Sequence, residues 1–181
     1  YVPHGIDTSF YHIDESVKKQ KMLLTVGSWL RDYSFADKVY QLLLKSDPDL
    51  KIKVVADEKK LAKITPNERI SLLSGISDEN LKLLYLQSSV LFFPLIRYTA
   101  NNSLLEAGAC GCNIVIASNF ADNSYIPETL VNLTEINVEE TVKTIVEAMN
   151  FTYNKKLAQY VENHYSWNVV GTQTEKILRE I

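Results

Sequence analysis

Cysteine, histidine and glycine are all scarce in this chain of 181 residues, and each shortage closes off a class of chemistry. The two cysteines, Cys110 and Cys112, stand one residue apart. That separation is poorly placed for a disulfide, and no further cysteine completes a metal site. They read as small buried thiols at a helix-to-strand corner, in keeping with a cytoplasmic home. The three histidines, His4, His12 and His164, are scattered and form no cluster with acidic residues. None of the six glycines falls into GxGxxG or GxxxxGKS/T, so neither a nicotinamide cofactor nor a P-loop NTPase is signalled. No run approaches the ~18 apolar residues of a membrane span. No positively charged leader stands at the start. The chain opens at Tyr1 without a methionine, and we read it as a piece of a longer protein. A net charge of −3 gives no general reason to expect nucleic acid. Three N-x-S/T sequons, at Asn101, Asn132 and Asn150, are chance matches in a cytoplasmic chain.

What is present is the material of one soluble domain. Hydrophobic residues make up 46% and charged residues 23%. A chain of this length buries roughly 70% of its unfolded surface. Six apolar runs stand out: "MLLTV" (22–26), "KIKVVA" (51–56), "ISLL" (70–73), "VLFFPL" (90–95), "NIVIAS" (113–118) and "TLVNL" (129–133). Nearly continuous Val, Ile, Leu and Phe suits strands buried on both faces. Between them the period turns helical: Phe35, Val39, Leu42 and Leu43 share one face, as do Leu81, Leu84 and Tyr85, and Val138, Val142, Ile145 and Met149. Ser77-Asp78-Glu79 signals a helix start. Alternating strand and helix predict an α/β fold, a doubly wound, Rossmann-like parallel sheet of about six strands.

Such sheets bind ligands at the carboxyl ends of their strands. The loops "VGSWLRDYSF" (26–35), "LSGISDEN" (73–80) and "PLIRYTANNS" (94–103) are the ones built for a ligand. After the fourth run, Thr99 to Ser103 bring backbone N–H groups to the start of a helix over Asn102–Ala109, where dipole and donors favour phosphate. That helix carries one carboxylate, Glu106. A carboxylate accepts only, which suits a vicinal diol such as a ribose. Its S-x-x-E spacing from Ser103 equally fits a capping box, and the residues alone leave both readings open.

Five blocks, "VPHGID" (2–7), "LLTVGSWLRDYSF" (23–35), "SGISDENLKLLYLQSSVLFFPL" (74–95), "NNSLLEAGACGCNIVIAS" (101–118) and "HYSWNVVGTQTEKI" (164–177), occur in the order and at the separations of the C-terminal domain of family 4 glycosyltransferases. The chain resembles that domain over essentially all its length. The resemblance implies the C-terminal half of a GT-B fold and a retaining transfer from a nucleotide-diphosphate sugar to an acceptor glycan or lipid-linked glycan, as in polysaccharide biosynthesis. It implies a donor-binding domain over 1–181, with helices over 154–181 crossing to an N-terminal acceptor domain. It implies no metal and no cofactor beyond the nucleotide sugar, and no nucleic acid. The full-length protein would be cytoplasmic, peripheral at the inner face of the membrane, and these residues alone would transfer no sugar.

Carried over position by position, the resemblance gives Glu106 the ribose. It gives Thr99, Ala100, Asn101, Asn102, Ser103 and Leu104 the diphosphate and sugar. Gly75 and Ile76 take the base edge, and Gly27 the close approach to the phosphates. His4 matches a turn that can face the cleft. Two departures stand out. Tyr98 occupies the place of a first glutamate that contacts the donor sugar, and Ser28 and Tyr33 replace the basic residues that neutralise the diphosphate. Arg31 and Arg97 lie nearby and are candidates for the displaced charge, the alternative being solvated loop charges. With these departures, a nucleotide-sugar-binding module without transferase activity is a second reading, and a related sugar-nucleotide epimerase a third. In the tail, Trp167, Val170, Thr174, Ile177 and Ile181 form one helical stripe, with Ser166 as its cap, and part of this stripe is expected to stand exposed.

Overall fold

The strongest apolar runs pair into a single sheet. The computed structural model describes residues 2–97, 101–119 and 126–180. Its strands are β1 (Gln20–Val26), β2 (Lys51–Val55), β3 (Ile70–Leu73), β4 (Ser88–Pro94), β5 (Ile114–Ala117) and β6 (Asn132–Thr134). All pairings are parallel, and the strand order is β3-β2-β1-β4-β5-β6. The order reverses between β1 and β4, so the two halves of the sheet diverge there and open a crevice beyond the strands' carboxyl ends.

Among the described residues seven helices flank the sheet: α1 (Tyr33–Ser46), α2 (Glu58–Leu61), α3 (Asp78–Gln87), α4 (Asn102–Ala109), α5 (Val138–Ala148), α6 (Lys155–Tyr165) and α7 (Trp167–Arg179). Side chains alternate across β4. Leu91 and Phe93 join Leu24 and Ile116 in a core beneath α3, α4 and α6. Val90 and Phe92 join Leu23 and Val115 in a second core beneath α1 and α5. A strand that must fill two cores reads as continuously apolar, which is why β4 is so plain in the sequence. Phe92 meets the ring of Tyr40 edge-on at 6.3 Å. The Tyr40 hydroxyl, wholly buried, donates to Thr25 Oγ1 at 2.6 Å and so pins α1 to β1.

The structure corrects two expectations about strands. Burial on both faces holds for β1, β4 and β5, but β3 and β6 are sheet edges and keep half-buried and exposed positions. The run at 129–133 also divides: Glu128–Leu130 form a 3-10 turn after Pro127, and the strand begins only at Asn132. The fixed φ of proline starts a turn readily, and that turn takes the first residues of the run.

In the tail, Ser166 joins α6 to α7 but makes no side-chain capping bond. The junction is instead tied by backbone to the start of the chain: Ile6 N–H donates to Tyr165 C=O at 2.8 Å, and Trp167 N–H to Ile6 C=O at 3.1 Å. Along the expected stripe Val170 is buried and Thr174 half-buried, while Trp167 is 57% exposed and Ile177 38%. Ile181 lies outside the described residues. Among the described residues no helix is long and apolar enough to cross a membrane.

Candidate functional site

The crevice between β1 and β4 is shaped first by the loop that leaves β1. Gly27 has φ +101°, a conformation that side-chain-bearing residues rarely adopt. Its N–H donates to Val55 C=O at 2.9 Å, and its carbonyl accepts from the Tyr33 hydroxyl at 2.6 Å. Asp32 caps α1 by accepting from Phe35 N–H at 2.9 Å. Between them Leu30, without being glycine, has φ +53°. A left-handed leucine costs about 1–2 kcal/mol and persists only where its neighbours hold it. Here the holders are backbone bonds to β4 and the residues just after it: Ile96 N–H to Leu30 C=O at 3.0 Å, and Asp32 N–H to Pro94 C=O at 2.8 Å.

This clamp aims Arg31. The residue is only 7% exposed. Its guanidinium lies 5.0 Å over the Phe93 ring and donates Nη1 to Trp29 C=O at 3.0 Å. It also leans towards Gly27: a Cβ placed on that glycine would stand 3.4 Å from Arg31 Nη2 and 3.5 Å from Ser103 Oγ. Gly27 and Arg31 of one loop and Ser103, remote from them in sequence, therefore border one small space at the sheet's switch point. A glycine backbone, a guanidinium and a serine hydroxyl at a helix start make a set that suits a phosphate group.

Across this space α4 begins. Asn101 stands at its N-cap and is 9% exposed, without a side-chain capping bond. Leu104 turns its side chain wholly into the core, and its N–H is taken by Asn101 C=O at 3.0 Å. Any contact of Leu104 with a ligand would thus be indirect. Asn102 is exposed and Ser103 half-buried. The capping box read from Ser103 and Glu106 does not form, because Asn101 holds the N-cap position and Ser103 lies inside the first turn.

Glu106 is engaged elsewhere. Its Oε2 accepts from the Tyr85 hydroxyl at 2.9 Å. Burial pushes the Glu106 carboxyl above the usual carboxylate range, while the Tyr85 hydrogen bond pulls it down and Asp78 pushes it up. Tyr85 itself is fully buried, and its phenol is raised by desolvation and by the Glu106 charge. Sequence reasoning missed Tyr85 as a partner of this carboxylate. It shares the core-facing stripe of α3 with Leu81 and Leu84, and helical periodicity reports the ring but not the hydroxyl.

Gly75 has φ +63° in the exposed loop between β3 and α3, and half-buried Ile76 packs on the core below it. Arg97 and His4 are exposed. Thr99 and Ala100, and Tyr98 beside them, lie outside the described residues. Ser28 accepts from Asp57 N–H at 2.8 Å, and Tyr33 is wholly buried. The two positions where basic residues were expected thus brace the loop. Among the described residues no three His, Cys, Asp or Glu side chains are grouped to hold a metal ion.

No family model and no curated protein matches the chain. Solved structures do. Over 99% of its length the chain is similar to sucrose-phosphate synthase from Thermosynechococcus elongatus, with a TM-score of 0.79 at 16% identity, covering 51% of that protein. It is similar over 99% to Anabaena HepE, solved with UDP and glucose, with a TM-score of 0.76 at 13% identity, covering 56% of that chain. It also matches the C-terminal domain of the group 1 glycosyl transferase LpcC from Francisella tularensis, with a TM-score of 0.63 at 15% identity, covering 94% of this chain and 98% of that one. The chain spans about half the length of the first two. Its fold is that of the C-terminal domain of GT-B glycosyltransferases.

Proposed function

We propose that these residues are the donor-binding domain of a retaining glycosyltransferase that moves a sugar from a nucleotide-diphosphate sugar to an acceptor glycan or lipid-linked glycan. The observation that carries the reading is the convergence of left-handed Gly27, buried Arg31 and Ser103 at the switch point of the sheet. A diphosphate seated there would meet a backbone that approaches closely because no Cβ intervenes. Arg31 would take the phosphate oxygens, with exposed Arg97 as a second cation at the rim. Glu106, one turn into α4, would accept from the ribose, and the Gly75–Ile76 turn would border the base. That HepE was solved with UDP and with UDP-glucose supports a nucleotide sugar as the ligand class.

In this reading the chemistry is positioning plus stabilisation of the charge that develops on the departing diphosphate. The arginines supply that stabilisation without a metal ion. Acceptor binding falls to an N-terminal domain, so residues 1–181 alone bind donor and transfer nothing. A second reading, a nucleotide-sugar-binding module without transferase activity, is favoured by Tyr33, which is core where the resemblance called for a basic residue on the diphosphate.

A thermal-shift panel of UDP, GDP, ADP and their sugars tests the binding step, since a ligand of the native state alone raises the melting temperature. Turnover by the full-length protein, with the anomeric configuration of the product, separates the two readings. Inverted product would overturn the retaining assignment. Binding without turnover would leave the module. Binding should survive EDTA, and an absolute requirement for a divalent cation would overturn the arginine-only account.

A further inference from the structure

Tyr85 has no role of its own in the proposed donor site, yet it is held at both ends and contacts Glu106, which has one. Its carbonyl accepts from Ser88 Oγ at 3.1 Å and from Cys112 Sγ at 3.2 Å. Its ring meets that of Tyr11 at 6.3 Å and 65°. Its hydroxyl, on a fully buried side chain, ends 2.9 Å from Glu106 Oε2. Among the described residues no second hydrogen bond to the Glu106 carboxylate is made, and the side chain is half-buried rather than enclosed. An ionised carboxylate has about four lone-pair positions, so this arrangement uses one and leaves the others.

The geometry points to Tyr85 as a positioning residue: it pins one oxygen of Glu106 so that the remaining lone pairs accept the vicinal hydroxyls of a ribose. This assignment rests on the donor-binding reading above and deepens it. A glutamate side chain free to rotate would lose rotamer entropy on meeting a diol, whereas one already fixed by a buried phenol has lost that freedom in the apo protein. The other titratable groups that face Glu106 are few. Asp78 comes from the start of α3, Tyr11 from the N-terminal segment and Cys110 from the end of α4. None of them supplies a cation. The phenol donor is therefore what opposes protonation of the carboxylate in this partly dry setting.

The test is Tyr85→Phe, with UDP, GDP and ADP and their 2′,3′-dideoxyribose counterparts measured in parallel by calorimetry across pH. We expect the ribose nucleotide to bind roughly tenfold more weakly to Tyr85→Phe. The dideoxy nucleotide should bind wild type and variant alike, since it offers Glu106 no hydroxyl. The acid side of the affinity profile should also move to higher pH, because the carboxylate has lost the donor that favours its charge. Equal loss for both kinds of nucleotide, or an unmoved profile, overturns the assignment. In a Glu106→Gln background, adding Tyr85→Phe should change neither affinity. If only the double variant folds, Tyr85 serves the carboxylate's stability and the assignment fails. If wild type binds none of the three ribose nucleotides, the donor-binding reading falls first and this falls with it. A bound but indifferent Tyr85→Phe removes this one alone.

Discussion

The Tyr33 hydroxyl donates to Gly27 C=O across 2.6 Å, joining the first residue of α1 to the residue that follows β1. The ring is wholly buried, and burial raises its phenol well above the ordinary range. This bond closes the β1–α1 loop from beneath, while the backbone bonds of Leu30 and Asp32 close it from the side of β4. Tyr33→Phe should cost about 1–3 kcal/mol of stability by stranding a carbonyl. Tyr33→Lys should cost more, because it buries an ammonium with no partner for its charge. Urea unfolding of the two variants checks the order. A Tyr33→Lys protein as stable as wild type would show that the loop has room to carry a phosphate-facing cation.

Arg31→Ala should weaken UDP binding by about 1.5–3 kcal/mol, the scale of hydrogen bonds to charged groups, while uridine binding changes much less. The guanidinium also packs over Phe93, so the substitution removes contact as well as charge. Arg31→Lys separates the two: it keeps the charge but not the planar fork. Calorimetry with nucleoside and nucleoside diphosphate decides. Equal losses on both ligands would place Arg31 away from the phosphates.

Glu106→Gln should stabilise the apo protein at neutral pH and weaken its nucleotide binding. The Glu106 carboxyl is raised in the folded state from an ordinary value of 4.5, first by burial. A carboxyl raised on folding stabilises the native state below its unfolded value, and that stabilisation is lost as pH rises through the folded value. Wild type therefore carries a penalty at neutral pH that glutamine lacks. The advantage of Glu106→Gln should shrink as pH falls through the folded value towards 4.5 and be gone below it, where the carboxyl is protonated in both states. Melting temperatures of both proteins from acid to neutral pH test this, and a pH-independent difference would contradict it.

How much of this could be read from residues alone depends on how local the signal is. β1, β4 and β5 announced themselves because each fills two cores, and Asp32 and Ser77 cap their helices as their types suggest. β6 was shifted because Pro127 opens a turn inside an apolar run. Gly27, Arg31 and Ser103 could each be suspected singly. The approach of Ser103 to the other two depends on the parallel pairing of β1 with β4, a relation no short window of sequence contains. The same holds for Glu106 and Tyr85, which lie on two different helices. Within "LLEAGACG" the side chains part company: Leu104, Leu105 and Ala107 are core, and Glu106 is half-buried with its carboxylate on Tyr85.

Gly108 in that block is a contact residue, and its role can be isolated. A Cβ there would stand 2.8 Å from Val161 Cγ2 and 3.5 Å from Leu157 Cγ, both on α6 and both wholly buried. Alanine gains about 1 kcal/mol over glycine in a helix, but an extra methyl in a filled core costs roughly 1–3 kcal/mol. Gly108→Ala should therefore destabilise on balance. Val161→Ala removes the atom in the way and leaves a cavity of its own, costing roughly 1–3 kcal/mol alone. Combined, the alanine at 108 should fill part of the space vacated at 161, so the double variant should be more stable than the sum of the two losses predicts. Such coupling is the mark of direct contact, since distant sites add within about 0.5 kcal/mol. Simple additivity in urea unfolding would mean that α4 and α6 do not approach as closely as Gly108 allows. Because neither residue faces the crevice, UDP affinity measured well below the melting temperature should change less than it does in Arg31→Ala.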